Sequence, residues 1–122
     1  MKIKTGVDLI AIERIAGVHQ RHGDRFLQRI YTPTEIEQSR SKAPELAVRF
    51  AAKEAASKAL GTGIGVISWK EVEIYSRPSG EPTIRLHGSA QRISKAMGYT
   101  TWAVSLSHSR EMAIAVVTVL GE

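Results

Sequence analysis

The stretch RFAAKEAASKALGTGIG, residues 49–65, sets the first constraint on any fold of this chain. Its alanines at 51, 52, 55, 56 and 59 favour a helix and keep one surface low enough for a neighbour to pack closely. Pro44 marks the start and Gly61 the stop, so a helix is predicted from about Pro44 to Leu60. Four charged residues interrupt the alanines. At about 100° per residue, Glu54 and Lys58 stand one turn apart on one ridge with Phe50 before them, while Arg49, Lys53 and Ser57 form the next ridge. A solvated Glu54–Lys58 pair would support the helix by about 0.2–0.5 kcal/mol. That account leaves open why a carboxylate stands among three cations beside a glycine loop.

The flanking segments read as a mixture of strands and helices. Residues 2–10 alternate through Ile3, Thr5, Val7 and Leu9, which predicts an opening strand with Asp8 on the opposite side near its end. A helix follows from Ile12 to His22, stopped by Gly23, and GDRFLQRI gives a short one with Phe26, Leu27 and Ile30 on its apolar side. Thr32, Pro33 and Glu35 form a helix start with a capping box. WKEVEIYS reads as a strand around Val72 and Ile74, RPSGEP as a turn and TIRLHG as the return strand. Ser89 is the expected cap of a helix from about Ala90 to Met97, closed by Gly98. TTWAVSLS and MAIAVVTVL are two strands around HSRE, and the second, apolar on both faces, is predicted to be central in its sheet. One α+β domain spanning 1–122 is the expected architecture, with a small antiparallel sheet packed on a long helix.

Bulk properties narrow the function. The net charge of +5 and an isoelectric point near 9.8 favour an anionic partner. The absence of cysteine excludes disulfides and thiolate chemistry and fits a reducing, cytoplasmic setting. No segment approaches the roughly 20 apolar residues of a membrane span, and the N-terminus lacks a signal-peptide pattern.

Several residues are candidates for chemistry. Asp8 read alone is an ordinary strand-end aspartate; together with Glu54 it would suit a hard cation such as Mg²⁺, which takes one or two carboxylates and leaves other positions to water and phosphate. Arg49 and Lys58 would then supply charge for a diphosphate. The backbone N–H groups of GTGIG could approach a phosphate, although a helix stop and turn explain those glycines equally well. His108 is either a hydrogen-bonded turn residue or a contact to a phosphate or base. Arg14, Arg21 and Arg25 recur at seven and four residues and make either a solvated basic face or a docking surface for an acidic partner. Aromatic residues are not interleaved with these arginines, which argues against stacking on single-stranded nucleic acid. A basic nucleic-acid-binding domain and a metal-dependent phosphohydrolase remain competing classes.

Taken in order, GVDLIAIERI, GDRFLQRIYTPTE, RFAAKEAASKALGTGIG, SGEPTIRLHGSA and VSLSHS resemble the bacterial holo-acyl carrier protein synthases, the short type of 4′-phosphopantetheinyl transferase. The family's opening commonly reads G-I-G-x-D; here Lys4 replaces the first glycine and Asp8 is kept. The resemblance implies a transferase of fatty acid biosynthesis in the cytoplasm. It moves the 4′-phosphopantetheine arm of coenzyme A to a serine of apo-acyl carrier protein and releases adenosine 3′,5′-bisphosphate. It also implies Mg²⁺, or Mn²⁺, on Asp8 and Glu54, with Lys58 and Arg49 on phosphates. Ser57, Gly61, Pro82 and His108 would line the coenzyme A site. Arg14, Arg21 and Arg25 would dock the acidic carrier, and the active site would form between subunits of a homotrimer. Neither nucleic acid nor membrane is an expected partner. Set among cations, Glu54 is expected to keep a low pKa; it or a metal-bound water would take the serine's proton.

Overall fold

The computed structural model describes residues 1–122. Strand β1 (Lys2–Ala11) leads directly into helix α1 (Ile12–His22). Two short helices follow, α2 (Asp24–Ile30) and α3 (Pro33–Ser39), then the long helix α4 (Ala43–Leu60). Strands β2 (Val72–Ser76) and β3 (Pro82–Leu86) form a hairpin. Helix α5 (Gly88–Ala96) precedes strands β4 (Tyr99–His108) and β5 (Met112–Gly121). No helix is long and apolar enough to cross a membrane.

The main sheet has the antiparallel order β1-β5-β4, so the doubly apolar strand is the central one, as its sequence predicts. Its inner face carries Gly6, Asp8 and Ile10 on β1 opposite Val117, Ala115 and Ala113 on β5. Helix α4 lies on this face. Small residues on both sides, Ala51, Ala52, Ala55, Ala56 and Ala59 against Ala113 and Ala115, are almost fully buried and let helix and sheet approach closely. Twenty-five buried apolar residues from nearly every element join in one core.

The outer face of β1 and β5 has the opposite character. Ile3, Val7 and Leu9 pair with Leu120, Val116 and Ile114, and all six are exposed, from 37% to 60%. The alternation in β1 is therefore real, but its apolar phase points away from the core.

The charged ridge of α4 is likewise inverted. Arg49, Lys53 and Ser57, expected on a charged face, are all buried. The Lys53 ammonium donates to Glu35 Oε1 at 2.8 Å, Trp69 O at 3.0 Å and Val72 O at 2.6 Å. These three bonds use its whole donor set. Glu35 also accepts from the backbone N–H groups of Thr32 and Ile74. One buried ion pair thus ties α3, α4 and β2 together. Burial, the largest effect, pulls the Lys53 pKa down, and the Glu35 carboxylate opposes it.

Two boundaries differ from the sequence reading. Residues Trp69–Glu71 form a single 3₁₀ turn and the strand begins at Val72, because Ser68 and Glu71 cap each other. Ser89 does not cap α5. Its backbone N–H instead donates to the Glu71 carboxylate, which serves both the turn and the helix start. Removing one partner of a buried pair strands the other, so Lys53→Ala should lower unfolding stability by about 3–5 kcal/mol in urea titrations. A loss below about 1 kcal/mol would mean that the pair is not the tie described.

Candidate active site

Helix α4 carries two groups of polar residues on different sides. Glu54 and Arg49 are five positions apart, which on an α-helix is about 140° around the axis.

The first group faces β1. Lys58 Nζ donates to Val7 O at 2.9 Å and to Asp8 Oδ1 at 3.2 Å, so it bridges helix and strand. Its natural i, i+4 partner, Glu54, makes no ion pair with it within 4.0 Å. Burial and then the Asp8 carboxylate push the Glu54 pKa up, against the pull of Lys58 and Arg14. The low pKa expected from its sequence neighbours is therefore corrected: a partly buried carboxylate beside a second carboxylate resists ionisation. Asp8 and Arg14 are thus both near enough to act on the Glu54 carboxylate. No third Asp, Glu, His or Cys joins to form a larger ligand cluster. Two neighbouring carboxylates, Asp8 held by Lys58 and Glu54 without an ion-pair partner, fit a hard cation that keeps water or phosphate in its other positions.

The second group lies on the other side of α4. Arg49, Pro82 and His108 line one cavity of about 220 Å³ with Glu45, Gly80 and Ser107. Arg49 is 3% exposed, yet it has only weak partners. It donates to the Glu45 carbonyl at 3.1 Å and stands 3.9 Å from that residue's carboxylate. Its Nε is buried with no hydrogen-bond partner. A buried donor left unpaired costs about 1–3 kcal/mol, so this guanidinium is primed for an anion.

Neither group contains all the residues singled out from the sequence. Ser57 is buried, and its hydroxyl donates to Glu54 O at 2.7 Å. Most N–H groups of the glycine loop are already engaged: those of Gly61, Thr62 and Gly63 turn back to the Ser57 carbonyl, and that of Gly65 donates to Ile67 O. Gly61 takes φ 86°, the left-handed stop of α4, and its N–H is spent on that cap. The phosphate cradle considered for GTGIG is thus replaced by a helix cap. Sequence reasoning passed over Arg40, which lines a cavity with Arg49 and Arg77 and a second one with Lys42 and His108. Arg40 and Ser41 both take φ 54°, which holds the connection between α3 and α4 in a tight reversal. No glycine announced it.

The basic face divides in the same manner. Arg14 belongs to the surroundings of Glu54. Farther along α1, the Arg21 guanidinium folds over Gly17. Arg25 lines a cavity of about 470 Å³ between α1 and α2, with Phe26, Ile30 and Trp69 as apolar wall and His22 and Arg29 at its side. The arginines thus run from the carboxylate pair to an apolar recess.

The family model of the 4′-phosphopantetheinyl transferase superfamily matches residues 4–117. A holo-[acyl-carrier-protein] synthase of Herpetosiphon aurantiacus is 46% identical over 124 aligned positions, covering 96% of this chain and 98% of that protein. One of Koribacter versatilis is also 46% identical, covering 96% and 97%. Among solved structures, Helicobacter pylori holo-[acyl-carrier-protein] synthase in complex with coenzyme A matches with a TM-score of 0.88 and 35% identity. The match covers 95% of this chain and 99% of that one.

Since Asp8 raises the Glu54 pKa, Asp8→Asn should lower it, measured by carbon-13 NMR of labelled glutamate in metal-free buffer. Lys58, released from Asp8, would act in the same direction. An unchanged or higher value would show that the two carboxylates do not interact.

Proposed function

The chain belongs to the 4′-phosphopantetheinyl transferase superfamily, and from that membership we infer that it moves the 4′-phosphopantetheine arm of coenzyme A to a serine of apo-acyl carrier protein. A bond forms between the serine oxygen and the phosphorus next to the pantetheine. The P–O bond of the diphosphate breaks, the serine proton is lost, and adenosine 3′,5′-bisphosphate leaves. The reaction supplies holo-carrier for fatty acid biosynthesis, and its cysteine-free catalyst fits the reducing cytoplasm. One domain, residues 1–122, carries it.

The observation that carries this reading is the meeting of Asp8, Glu54 and Lys58 beside an arginine-bearing helix. Asp8 and Glu54 would hold Mg²⁺, or Mn²⁺, which when bound neutralises diphosphate charge. Lys58 supplies further positive charge to the diphosphate and the leaving bisphosphate. Glu54 is the chain's own acceptor at hand for the serine proton. Arg49, with its orphaned Nε, and His108 would hold phosphates of coenzyme A, with Pro82 closing the same cavity. Ser57 and Gly61, at the end of α4, would line the coenzyme A site as the resemblance implies.

We propose the homotrimer that the family resemblance implies, and two features support association of copies. The exposed apolar face of β1 and β5 is too extensive for a solvated sheet, with Ile3, Val7, Leu9, Ile114, Val116 and Leu120 side by side. The Asp8 and Arg49 groups lie on different sides of α4, so a neighbouring copy can bring one group to the other. Arg14, Arg21 and Arg25 present charge to the acidic carrier, which speeds encounter and orients it.

The test is the intact mass of apo-acyl carrier protein after incubation with this protein, coenzyme A and Mg²⁺. The gain of one phosphopantetheine arm is expected, and its loss in Asp8→Ala, in Glu54→Ala and without metal. No gain with several apo-carriers and a folded sample would overturn the reading. Charge reversal at Arg14 and Arg21 should raise KM for the carrier about tenfold or more at low salt, with kcat much less affected. An unchanged KM would remove the docking role.

A further inference from the structure

The inner face of β1 touches α4 most closely at Gly6. A Cβ at this position would lie 1.9 Å from the Ala55 carbonyl oxygen, 2.9 Å from its carbon and 3.1 Å from the Ala59 nitrogen. These are backbone atoms in the middle of a buried helix, so no side chain can turn aside to make room. Gly6 is itself buried in the pair with Val117 at the central strand. No positive φ is recorded for it, so turn geometry does not require a glycine here. What requires it is the distance between strand and helix.

That distance matters two residues later. Asp8 stands on the same face of β1 as Gly6, because strand side chains alternate. Glu54 immediately precedes Ala55, and Lys58 immediately precedes Ala59. The atoms that a Cβ at Gly6 would strike therefore belong to the residues next to the two α4 groups that meet Asp8. Lys58 reaches across this seam to both Val7 O and Asp8 Oδ1.

We propose that Gly6 is a positioning residue whose missing side chain sets the separation of Asp8 from Glu54 and so selects the size of the cation that the pair accepts. This inference rests on the reading of Asp8 and Glu54 as a metal pair. To lengthen the closest contact from 1.9 Å to 3.0 Å, a strand bearing alanine must retreat by 1.1 Å. Mg²⁺ demands ligands at about 2.0–2.1 Å in strict octahedral geometry, whereas Ca²⁺ accepts about 2.3–2.6 Å with a flexible arrangement. Widening the pair therefore penalises Mg²⁺ more than Ca²⁺.

The experiment compares wild type, Gly6→Ala and Asp8→Ala as full-length proteins, titrated with Mg²⁺ and with Ca²⁺ by calorimetry in the presence of coenzyme A. The ratio of the two affinities is the readout, because loss of folded protein changes the amount bound without changing that ratio. In Gly6→Ala, preference for Mg²⁺ over Ca²⁺ should fall about tenfold or more. Asp8→Glu, one methylene longer, should restore part of that preference when added to Gly6→Ala. If Gly6→Ala does not accumulate as folded protein, Ala55→Ser, which enlarges the buried residue whose carbonyl faces Gly6, takes its place. An affinity ratio equal to the wild type in a folded variant would overturn the role of Gly6. A wild type whose Mg²⁺ affinity is the same as that of Asp8→Ala would instead overturn the metal pair itself.

Discussion

The close seating of the main sheet on α4 is the constraint from which the rest of the architecture follows. Five alanines on the helix, two on β5 and Gly6 on β1 remove the bulk that ordinarily separates a helix from a sheet. The helix that results is buried on most of its circumference. Its charged residues must then find partners inside the protein or emerge at its two flanks. Lys53 finds Glu35 and two carbonyls; Glu54 and Lys58 emerge beside β1; Arg49 stays buried and lines a cavity with His108. The chemistry of the site is thus a consequence of how little room the helix was given.

Much of this was legible from residue patterns. The capping box at Thr32 and Glu35, the glycine stops at Gly23 and Gly61, and the centrality of MAIAVVTVL each depend on local chemistry, and each stands in the structure. Other features depend on long-range packing, which local pattern does not report. The phase of alternation in β1 gave apolar and polar sides without saying which faced the helix. Lys53 looked like a surface cation until α3 brought Glu35 against it, 18 residues away in sequence. Glu54 was surrounded by cations in sequence but by burial and Asp8 in space. The residues of the candidate site were named chiefly through the family resemblance. Their division into two groups, and the use of the loop N–H groups as a helix cap, came only with the fold.

The same sheet connects the site to the proposed assembly. Residues Gly6, Asp8 and Ile10 point toward α4, while Val7 and Leu9 between them join the exposed apolar face. On the proposed reading, a strand that lends alternate side chains to the metal pair and to association would couple the two. Burial of that apolar face against a neighbouring copy would also stiffen β1, and with it the position of Asp8. The basic residues of α1 continue this line: β1 runs into α1 without a loop, and Arg14 in its first turns stands near Glu54. In the proposed function, carrier docking and diphosphate binding would therefore be anchored on one continuous stretch of chain.

The central claim is that the Asp8–Glu54–Lys58 group of one copy works with the Arg49–His108 group of another. Complementation between inactive chains tests it most directly. Asp8→Ala and His108→Ala proteins would be unfolded together, refolded as a mixture and assayed for phosphopantetheine transfer. If the groups are shared between neighbours in a trimer, random assembly restores about a quarter of the wild-type sites. If each copy uses its own two groups, the mixture stays as inactive as the separate variants, and the account of a divided site fails.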